Sequence, residues 1–131
     1  MAEANYPDDL LYHDPHDWVR LDGEEHAVFG ITWYAQDSLG EVVFFEAPEV
    51  GATIQKDATY AEVESVKAVS DVIAPMSGEI VEVNDALEDA PERINEDPYG
   101  EGWLVKVRLS SPEESGSLLG PPEYRKLLEN S

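Results

Sequence analysis

Val63-Glu64-Ser65-Val66-Lys67-Ala68-Val69-Ser70-Asp71 is the most informative stretch of this chain. Small and β-branched residues on both sides of Lys67 are typical of strands, so the stretch predicts two strands that meet at a tight turn. The chain has 8 basic residues against 29 acidic ones, and a cation among Glu62, Glu64 and Asp71 therefore needs a reason. One interpretation is a covalent attachment point for a swinging cofactor. The other is a solvated strand lysine whose ion pairs contribute little to stability.

Length and composition favour one domain that spans residues 1–131. A chain of 131 residues buries roughly two-thirds of the surface that its unfolded form exposes, and 42% hydrophobic residues can supply its core. Without cysteine the chain can form no disulfide, thiolate nucleophile or sulfur-ligated zinc site. No apolar run is long enough to span a membrane, and the acidic N-terminus does not resemble a signal or transit peptide. We expect a monomeric protein of the cytoplasm.

The formal net charge of −21 argues against binding to nucleic acids or to anionic membrane surfaces. Both require clustered lysine and arginine, which this chain lacks. Such a charge speeds encounters with basic faces on partner proteins, and does so less at high salt. Plain solubility, or adaptation to a salty cytoplasm, is the alternative explanation, because net charge bears on association and solubility rather than on fold.

The pattern of apolar residues predicts a mainly β chain. Asp22-Gly23, between two strand-like runs, is a strong signal for a hairpin. Thr32 is suited to cap a short helix that Gly40 ends. The predicted strands cover residues 18–21, 26–31, 41–45, 60–66, 68–73, 79–83 and 103–109, with a short extended piece at Ile54.

The last two strands are joined by residues 84–102, which are acidic and rich in proline and glycine. They predict a loop with one helical turn near residues 91–94. A helical tail over residues 111–131 is expected to follow a core over residues 12–109.

The tail is predicted to contain two helices. Ser111 caps the first, with Pro112 at its first position and Gly120 at its end, and the pair Glu113-Glu114 is interpreted as first-turn helix charge. The apolar face of the second helix, spaced to pack on the sheet, consists of Tyr124, Leu127 and Leu128.

Two segments share an A-P-x-x-G pattern, and each follows a predicted strand. They are Ala47-Pro48-Glu49-Val50-Gly51 and Ala74-Pro75-Met76-Ser77-Gly78. Two copies of one strand-turn-strand unit, related by a pseudo-twofold axis, would make a flattened β-barrel with a hairpin turn at its far end. Lys67 falls between the copies, where that turn is expected.

In order along most of its length, the chain resembles the H protein of the glycine cleavage system, a lipoyl carrier with a lipoyl-domain-like β fold. The resemblance implies a flattened β-barrel or sandwich, a barrel-sandwich hybrid, with short helices that include a C-terminal segment. The stretches that carry it are His16-Asp17-Trp18-Val19, Gly30-Ile31-Thr32, Tyr34-Ala35-Gln36, Leu39-Gly40-Glu41-Val42-Val43-Phe44, Pro48-Glu49-Val50-Gly51, Val63-Glu64-Ser65-Val66-Lys67-Ala68, Ser77-Gly78-Glu79, Val83-Asn84 and Asn95-Glu96-Asp97-Pro98-Tyr99-Gly100-Glu101-Gly102-Trp103, followed by the tail.

The resemblance implies that Lys67 carries lipoate in amide linkage and that the protein is a carrier rather than an enzyme. Lipoate-attaching enzymes read the presented turn in this family, and residues matching Glu64 and Gly78 are important for that recognition. The implied partners are glycine decarboxylase, which uses pyridoxal phosphate, an aminomethyltransferase that uses tetrahydrofolate, and dihydrolipoamide dehydrogenase. The first loads the arm with an aminomethyl group, the second unloads it and the third reoxidises it. A flexible lysine stem on a rigid hairpin suits this role because it raises the effective concentration of the arm at each active site.

The resemblance also implies a cleft into which the loaded arm folds. Asp17 stands where the family usually has glutamate, and Asp71 matches an acid close to the lipoyl lysine. Both are candidate cleft residues, because a carboxylate suits a cationic amine. The chain departs from the family pattern at Pro15, Trp33 and Ser38, where a small hydroxyl residue, an aspartate and, in some members, a histidine are found.

Three other functions compete with this one. A biotin carrier shares the fold, but it typically flanks its lysine with methionines, whereas Lys67 lies between Val66 and Ala68. An H-like protein could relay lipoyl groups to other carriers, and Trp33 and the altered cleft are the only hints of that. An acidic interaction module would keep the fold and leave Lys67 unmodified.

Catalysis and metal binding are less favoured. The sequence shows no nucleophile, no phosphate-binding loop and no second domain to form a deep pocket. The run 13–17, with His26, offers imidazole and carboxylate metal donors, but the family pattern already accounts for most of it. Three aromatic residues are interpreted as packing residues, Trp18, Trp33 and Trp103.

Overall fold

Two antiparallel sheets form the framework of the molecule. The structure, a computed structural model, describes residues 6–129, so the ends of the predicted domain, residues 1–5 and 130–131, lie outside the described part. One sheet has six strands in the order β1-β2-β3-β9-β8-β5, and the other has three in the order β4-β6-β7. The strands are β1 Leu11–His13, β2 Asp17–Asp22, β3 His26–Ile31, β4 Val42–Glu46, β5 Thr53–Ile54, β6 Thr59–Ser65, β7 Val69–Ile73, β8 Gly78–Val83 and β9 Val105–Leu109.

Short helices connect these strands and follow them. They are α1 Trp33–Leu39, α2 Ala86–Asp89, α3 Arg93–Glu96, a 3₁₀ helix over Pro112–Ser117 and α4 Pro121–Glu129. No helix within residues 6–129 is both long and apolar enough to cross a membrane.

The local signals at the first hairpin and helix are confirmed. Strands β2 and β3 pair from Asp22 opposite His26, and Gly23 adopts the left-handed conformation, φ 77°, that the turn requires. Thr32 caps α1 by accepting a hydrogen bond from the Ala35 N–H at 3.3 Å. Gly40, at φ 85°, ends that helix.

One hydrophobic core joins the two sheets. Val19 and Phe29 enter it from the six-stranded sheet, and Val63 and Val72 enter it from the three-stranded sheet. Because strand side chains alternate between faces, β6 turns Val63 inward and leaves Glu62 and Glu64 on the outer face. The two sheets share a core without joining into one closed barrel in the part of the chain described, which agrees with the expected mainly β barrel-sandwich architecture.

The repeated A-P-x-x-G segments occupy equivalent places. Residues 47–51 lead from β4 in the three-stranded sheet to β5 in the six-stranded sheet, and residues 74–78 lead from β7 to β8 in the same way. Strands β5 and β8 then pair with each other, Ile54 opposite Gly78. The repeat therefore marks the two crossings between sheets.

The structure corrects two predictions for the loop and the tail. Residues 84–102 contain two helical turns, α2 and α3, rather than one, because each buries an apolar side chain, Leu87 or Ile94. The first tail helix is a 3₁₀ helix over Pro112–Ser117, and the Ser111 side chain makes no capping hydrogen bond there.

Helix α4 packs on an aromatic cluster beside β1 and β2. Tyr124 is fully buried, and its ring stacks on that of Tyr12 with centroids 4.8 Å apart. Leu127 and Leu128 pack against the same cluster, which confirms the predicted apolar face. Strand β1, which carries Tyr12, was not predicted and begins one residue before the expected core.

Candidate functional site

Lys67 lies at the tip of the turn between β6 and β7. The Ser65 hydroxyl organises this turn, because its oxygen lies 3.2 Å from the Lys67 N–H and 3.1 Å from the Ala68 N–H. The Ser65 N–H also donates to the Ala68 carbonyl at 2.8 Å. A serine that satisfies nearby backbone groups in this way stabilises a tight turn. The backbone at Lys67 is thereby held while its side chain remains exposed.

A second element holds the turn from the side. The Val66 N–H donates to the Glu41 carbonyl at 3.1 Å. The Asn95 side chain secures the backbone on both sides of Glu41, donating to the Gly40 carbonyl at 2.8 Å and accepting from the Val42 N–H at 2.8 Å. Helix α3, which carries Asn95, therefore supports the turn through the start of β4.

The stem of Lys67 passes close to Gly40. A Cβ atom placed on Gly40 would lie 3.4 Å from the Lys67 Cε atom and 4.0 Å from its Nζ atom. The lysine thus projects from the turn past the end of α1, with Val66 beside it 69% exposed. An exposed amine on a fixed turn is open to acylation by another enzyme.

A cavity of about 310 Å³ lies next to the turn. Ala68 and Val69, which follow Lys67, form part of its wall, and the cavity brings together both candidate cleft acids, Asp17 and Asp71. The other lining residues come from the β1–β2 turn, β3, α1 and the paired strands β6 and β7, and they include Pro15, His16, Tyr34, Ser38 and Leu39. The cavity is therefore an apolar and hydroxyl-lined site with two acidic residues in its lining, a composition that fits a short alkyl chain ending in a cation.

Asp17 is the unusual group in this cavity. Its side chain is only 2% exposed, and burial raises its pKa to about 7, although the neighbouring His13 acts in the opposite direction. Desolvation disfavours the charged form of a carboxyl group, so Asp17 gains most from a cation that enters the cavity. Asp71, on β7, is exposed to solvent.

The rim of the cavity is tied to the C-terminal helix. The Tyr124 hydroxyl lies 2.8 Å from the His16 Nδ1 atom and 2.8 Å from the Thr32 Oγ1 atom. Burial lowers the pKa of His16, which favours a neutral ring. Helix α4 thus fixes the β1–β2 turn that carries His16 and leads into Asp17.

Glu64 lies outside the cavity, on the outer face of the three-stranded sheet. It sits between Phe44 on β4 and Val69 on β7, both at least half exposed. The next row across the sheet is Glu46, Glu62 and Asp71. A hydrogen bond from the Glu46 side chain raises the pKa of Glu62. This outer face, next to the Lys67 turn, combines apolar and acidic side chains.

Gly78 is placed apart from the other predicted site residues, in β8 of the six-stranded sheet. A Cβ atom there would lie 2.4 Å from the Arg108 carbonyl oxygen and 2.5 Å from the Val107 Cγ1 atom. Close packing against β9 accounts for a glycine at this position. Its neighbour Ser77 is held by Glu114, whose carboxylate accepts from the Ser77 N–H at 2.7 Å and lies 3.1 Å from its hydroxyl. Glu114 therefore does more than supply first-turn charge.

The three tryptophans lie in or against the aromatic cluster. Trp33 packs against the aromatic cluster and is not among the residues that line the cavity. Trp18 is fully buried and Trp103 packs on the same cluster, as packing residues do. No group of three or more possible metal ligands lies together within residues 6–129.

Several residues of the site were not found by sequence reasoning. Ser65 had a local signal, since serine readily bonds nearby backbone groups in turns. Asn95 and Asp57 had none, because their contacts join segments that are far apart in the sequence. His13 drew attention only as a metal donor, whereas the structure places its ring between Asp17 and Asp57.

Comparison with known proteins agrees with this geometry. The family model described as "Glycine cleavage H-protein" matches residues 10–131. The glycine cleavage system H protein of Rubrobacter xylanophilus is 53% identical over 126 residues, which cover 96% of this chain and 97% of that protein. That of Symbiobacterium thermophilum is 52% identical over 92% of this chain and 94% of its own length. The crystal structure of a glycine cleavage system H protein from Mycobacterium marinum superimposes with a TM-score of 0.85 at 43% identity, covering 92% of this chain and 97% of that one. The chain belongs to the glycine cleavage H-protein family.

Proposed function

We propose that Lys67 carries lipoate in amide linkage and that the chain shuttles an aminomethyl group between the enzymes of the glycine cleavage system. Membership of the family makes the chain a lipoyl carrier component and not a catalyst by itself. The observation that supports the attachment site is the Lys67 turn, which Ser65 and the Glu41 carbonyl hold in place while the amine remains exposed. The cavity beside it supplies room for the arm to fold back.

The chain works with the other components of that system. In the proposed cycle, glycine decarboxylase loads the arm, the tetrahydrofolate-dependent aminomethyltransferase unloads it, and dihydrolipoamide dehydrogenase reoxidises it. Bound lipoate supplies a disulfide that opens to one carbon–sulfur bond and one thiol. The bacterial relatives favour the cytoplasm as the compartment of this transfer.

The chain's own residues have separate parts in this proposal. Glu64, on the outer face beside the turn, is suited to recognition by the lipoate-attaching enzymes because it is accessible there. Gly78 has no side chain for an enzyme to read and lies in the other sheet. It would therefore act indirectly, by keeping β8 close to β9. Asp17 and Asp71 would hold the cationic amine of the loaded arm, because both residues line the cavity next to Ala68.

Intact mass spectrometry with peptide mapping tests the attachment site. The protein is produced together with lipoate-attaching enzymes under lipoate-replete conditions. We expect one lipoyl increment on the peptide that contains Lys67, and none in the Lys67→Arg variant. Lys106→Arg, which changes a half-exposed lysine paired with Glu82 in the other sheet, is the matched control and should keep the increment.

Two other outcomes would overturn this proposal in different ways. A biotin increment on Lys67 would keep the swinging arm but replace the cofactor. A bare Lys67 in both the wild-type chain and the control would leave an acidic interaction module, with the outer face of the three-stranded sheet as its binding surface.

A further inference from the structure

A chain of three side chains leads from the cavity to solvent. His13 lies between two acids: its Nδ1 atom is 3.5 Å from the Asp17 Oδ2 atom, and its Nε2 atom is 3.0 Å from the Asp57 Oδ1 atom. Asp17 is 2% exposed, whereas the Asp57 side chain is 65% exposed. The imidazole therefore connects a carboxyl group of the cavity to one at the surface.

Two separate segments converge on this ring. His13 ends β1 directly opposite Asp17 in β2, so the sheet register brings these two together. Asp57 comes from the turn between β5 and β6, where its backbone is left-handed at φ 71° and its N–H donates to the Ala74 carbonyl at 2.8 Å. A left-handed conformation costs energy for a residue other than glycine, although aspartate tolerates it better than most. It persists here because the surrounding turn holds Asp57 against His13.

The hydrogen-bonding groups of Asp17, His13 and Asp57 are complementary. A histidine that carries both ring protons can donate to Asp17 and to Asp57 at the same time, and hydrogen bonds between ionised groups are the stronger ones. Burial raises the pKa of Asp17, and both the hydrogen bond and the charge of His13 lower it. Lys56, whose Nζ atom is 3.7 Å from the Asp57 Oδ2 atom, places a cation at the surface end.

We propose that His13 is a positioning residue which, braced by Asp57, offsets part of the effect of burial on Asp17, so that the cavity accepts an alkylammonium group. In its doubly protonated form the His13 ring donates to both carboxyl groups at once, so that Asp57 holds the ring in place against Asp17. The 3.5 Å separation of the His13 Nδ1 atom from the Asp17 Oδ2 atom is long for a hydrogen bond, and we expect it to shorten when both groups are charged. That the ammonium arrives on the Lys67 arm rests on the function proposed above.

Other titratable groups face the same region and are part of the electrostatic balance. Asp71, His16 and Tyr34 line the cavity, and Tyr60 and Tyr124 lie within electrostatic range of Asp17. The buried Tyr60 hydroxyl has no hydrogen-bond partner among the described residues. Among the described residues that act on Asp17, His13 is the one that opposes the effect of burial.

The test uses the unlipoylated full chain and follows the carboxyl carbon of Asp17 by NMR as the pH is raised. Asp57→Asn should move the midpoint of the Asp17 titration upward by about one pH unit, and His13→Ala should move it further. His13→Gln should fall between wild type and His13→Ala, because an amide donor restores a hydrogen bond without the charge. Asp14→Asn is the matched control, since it removes an exposed acid next to His13 in the sequence and should leave the midpoint in place.

Methylammonium chloride is the probe for the cavity itself. It should lower the Asp17 midpoint in the wild-type chain and in Asp14→Asn, and have little effect in His13→Ala. Tetramethylammonium, which has no N–H to donate, should have little effect in any of them. A midpoint that stays the same in His13→Ala and Asp57→Asn would overturn the proposal, as would a wild-type midpoint insensitive to methylammonium.

The Asp17 titration does not depend on a lipoyl arm at Lys67. The titration needs no lipoate, so a bare Lys67 in the mass measurement would leave it unchanged. If Lys67 is lipoylated and loaded, release of the amine should be slowest above the Asp17 midpoint, and Asp57→Asn should move that pH dependence upward by the same amount.

Discussion

The hydroxyl of Ser65 fixes the turn at Lys67 more directly than any of the acids around it. One oxygen serves two backbone N–H groups, at Lys67 and Ala68, and the same serine closes the turn through its own N–H. Both N–H groups would otherwise depend on water, and the tip of the turn would sample more conformations. Lys67 is a useful attachment point because the nearby Ser65 restricts the backbone of the turn that carries it.

Ser65→Ala is expected to lower the free energy of unfolding by about 1 to 2 kcal/mol, because two hydrogen-bond donors lose their acceptor. Urea unfolding measures this loss, and faster amide hydrogen exchange at Lys67 and Ala68 shows that it is local. Ser110→Ala, a change at an exposed serine outside the turn, is the control. Equal effects of the two changes would assign no special role to the Ser65 hydroxyl.

Strands β8 and β9 approach each other closely because glycine begins β8. Gly78 lies opposite Leu109, and the space for its absent side chain is filled by Val107 and the carbonyl of Arg108. The adjacent Ser77 is clamped by Glu114, so the 3₁₀ helix of the tail is attached at the same point. The crossing from the three-stranded to the six-stranded sheet is therefore held in two ways. Gly78 packs closely against β9, and the Glu114 carboxylate binds Ser77.

Gly78→Ala should reduce the free energy of unfolding by about 2 to 3 kcal/mol, since the added methyl group must push the two strands apart. Chemical denaturation gives this value directly. In Gly116→Ala the new Cβ atom meets nothing within 4 Å, and the change should stay within about 0.5 kcal/mol. A tolerated alanine at Gly78 would show that β9 can move without cost.

The net charge of −21 acts on the molecule as a whole. Surface ion pairs such as Lys106–Glu82, 3.4 Å apart, offset only a small part of this charge because there are few basic residues. Rows of acids also face one another on the three-stranded sheet, where Glu46, Glu62 and Asp71 are cross-strand neighbours. Like charges placed side by side destabilise a sheet, so repulsion opposes the fold at low ionic strength.

Added sodium chloride should therefore raise the melting temperature, with each kcal/mol of relieved repulsion worth about 4 °C. The Debye length is about 10 Å at 0.1 M salt, which is short enough to screen separate surface charges. A double variant, Glu24→Gln with Glu25→Gln in the exposed β2–β3 turn, should melt higher at low salt and respond less to added salt. A melting temperature that falls with salt would mean that the ion pairs outweigh the repulsion.

Local signals predicted much of the fold because the interactions behind them are local. Asp22-Gly23 specified its hairpin, Thr32 and Gly40 specified the ends of α1, and the β-branched runs around Lys67 specified β6 and β7. The two elements that were predicted wrongly, in the loop and in the tail, depend instead on contacts with distant residues. Helix α2 forms because Leu87 finds a place in the core, and the tail begins as a 3₁₀ helix that brings Glu114 to Ser77.

The sequence by itself determined the fold class, the family and the lysine at the turn, because strand periodicity, turn residues and the quoted motifs are all properties of neighbouring residues. The tertiary structure alone decided which acids act together. It placed Asp17 and Asp71 in one cavity, left Glu64 on the outer face, and joined Asp17 to Asp57 through His13. The direction of a side chain depends on strand register and on how two sheets pack, and both are set by contacts between residues distant in the chain.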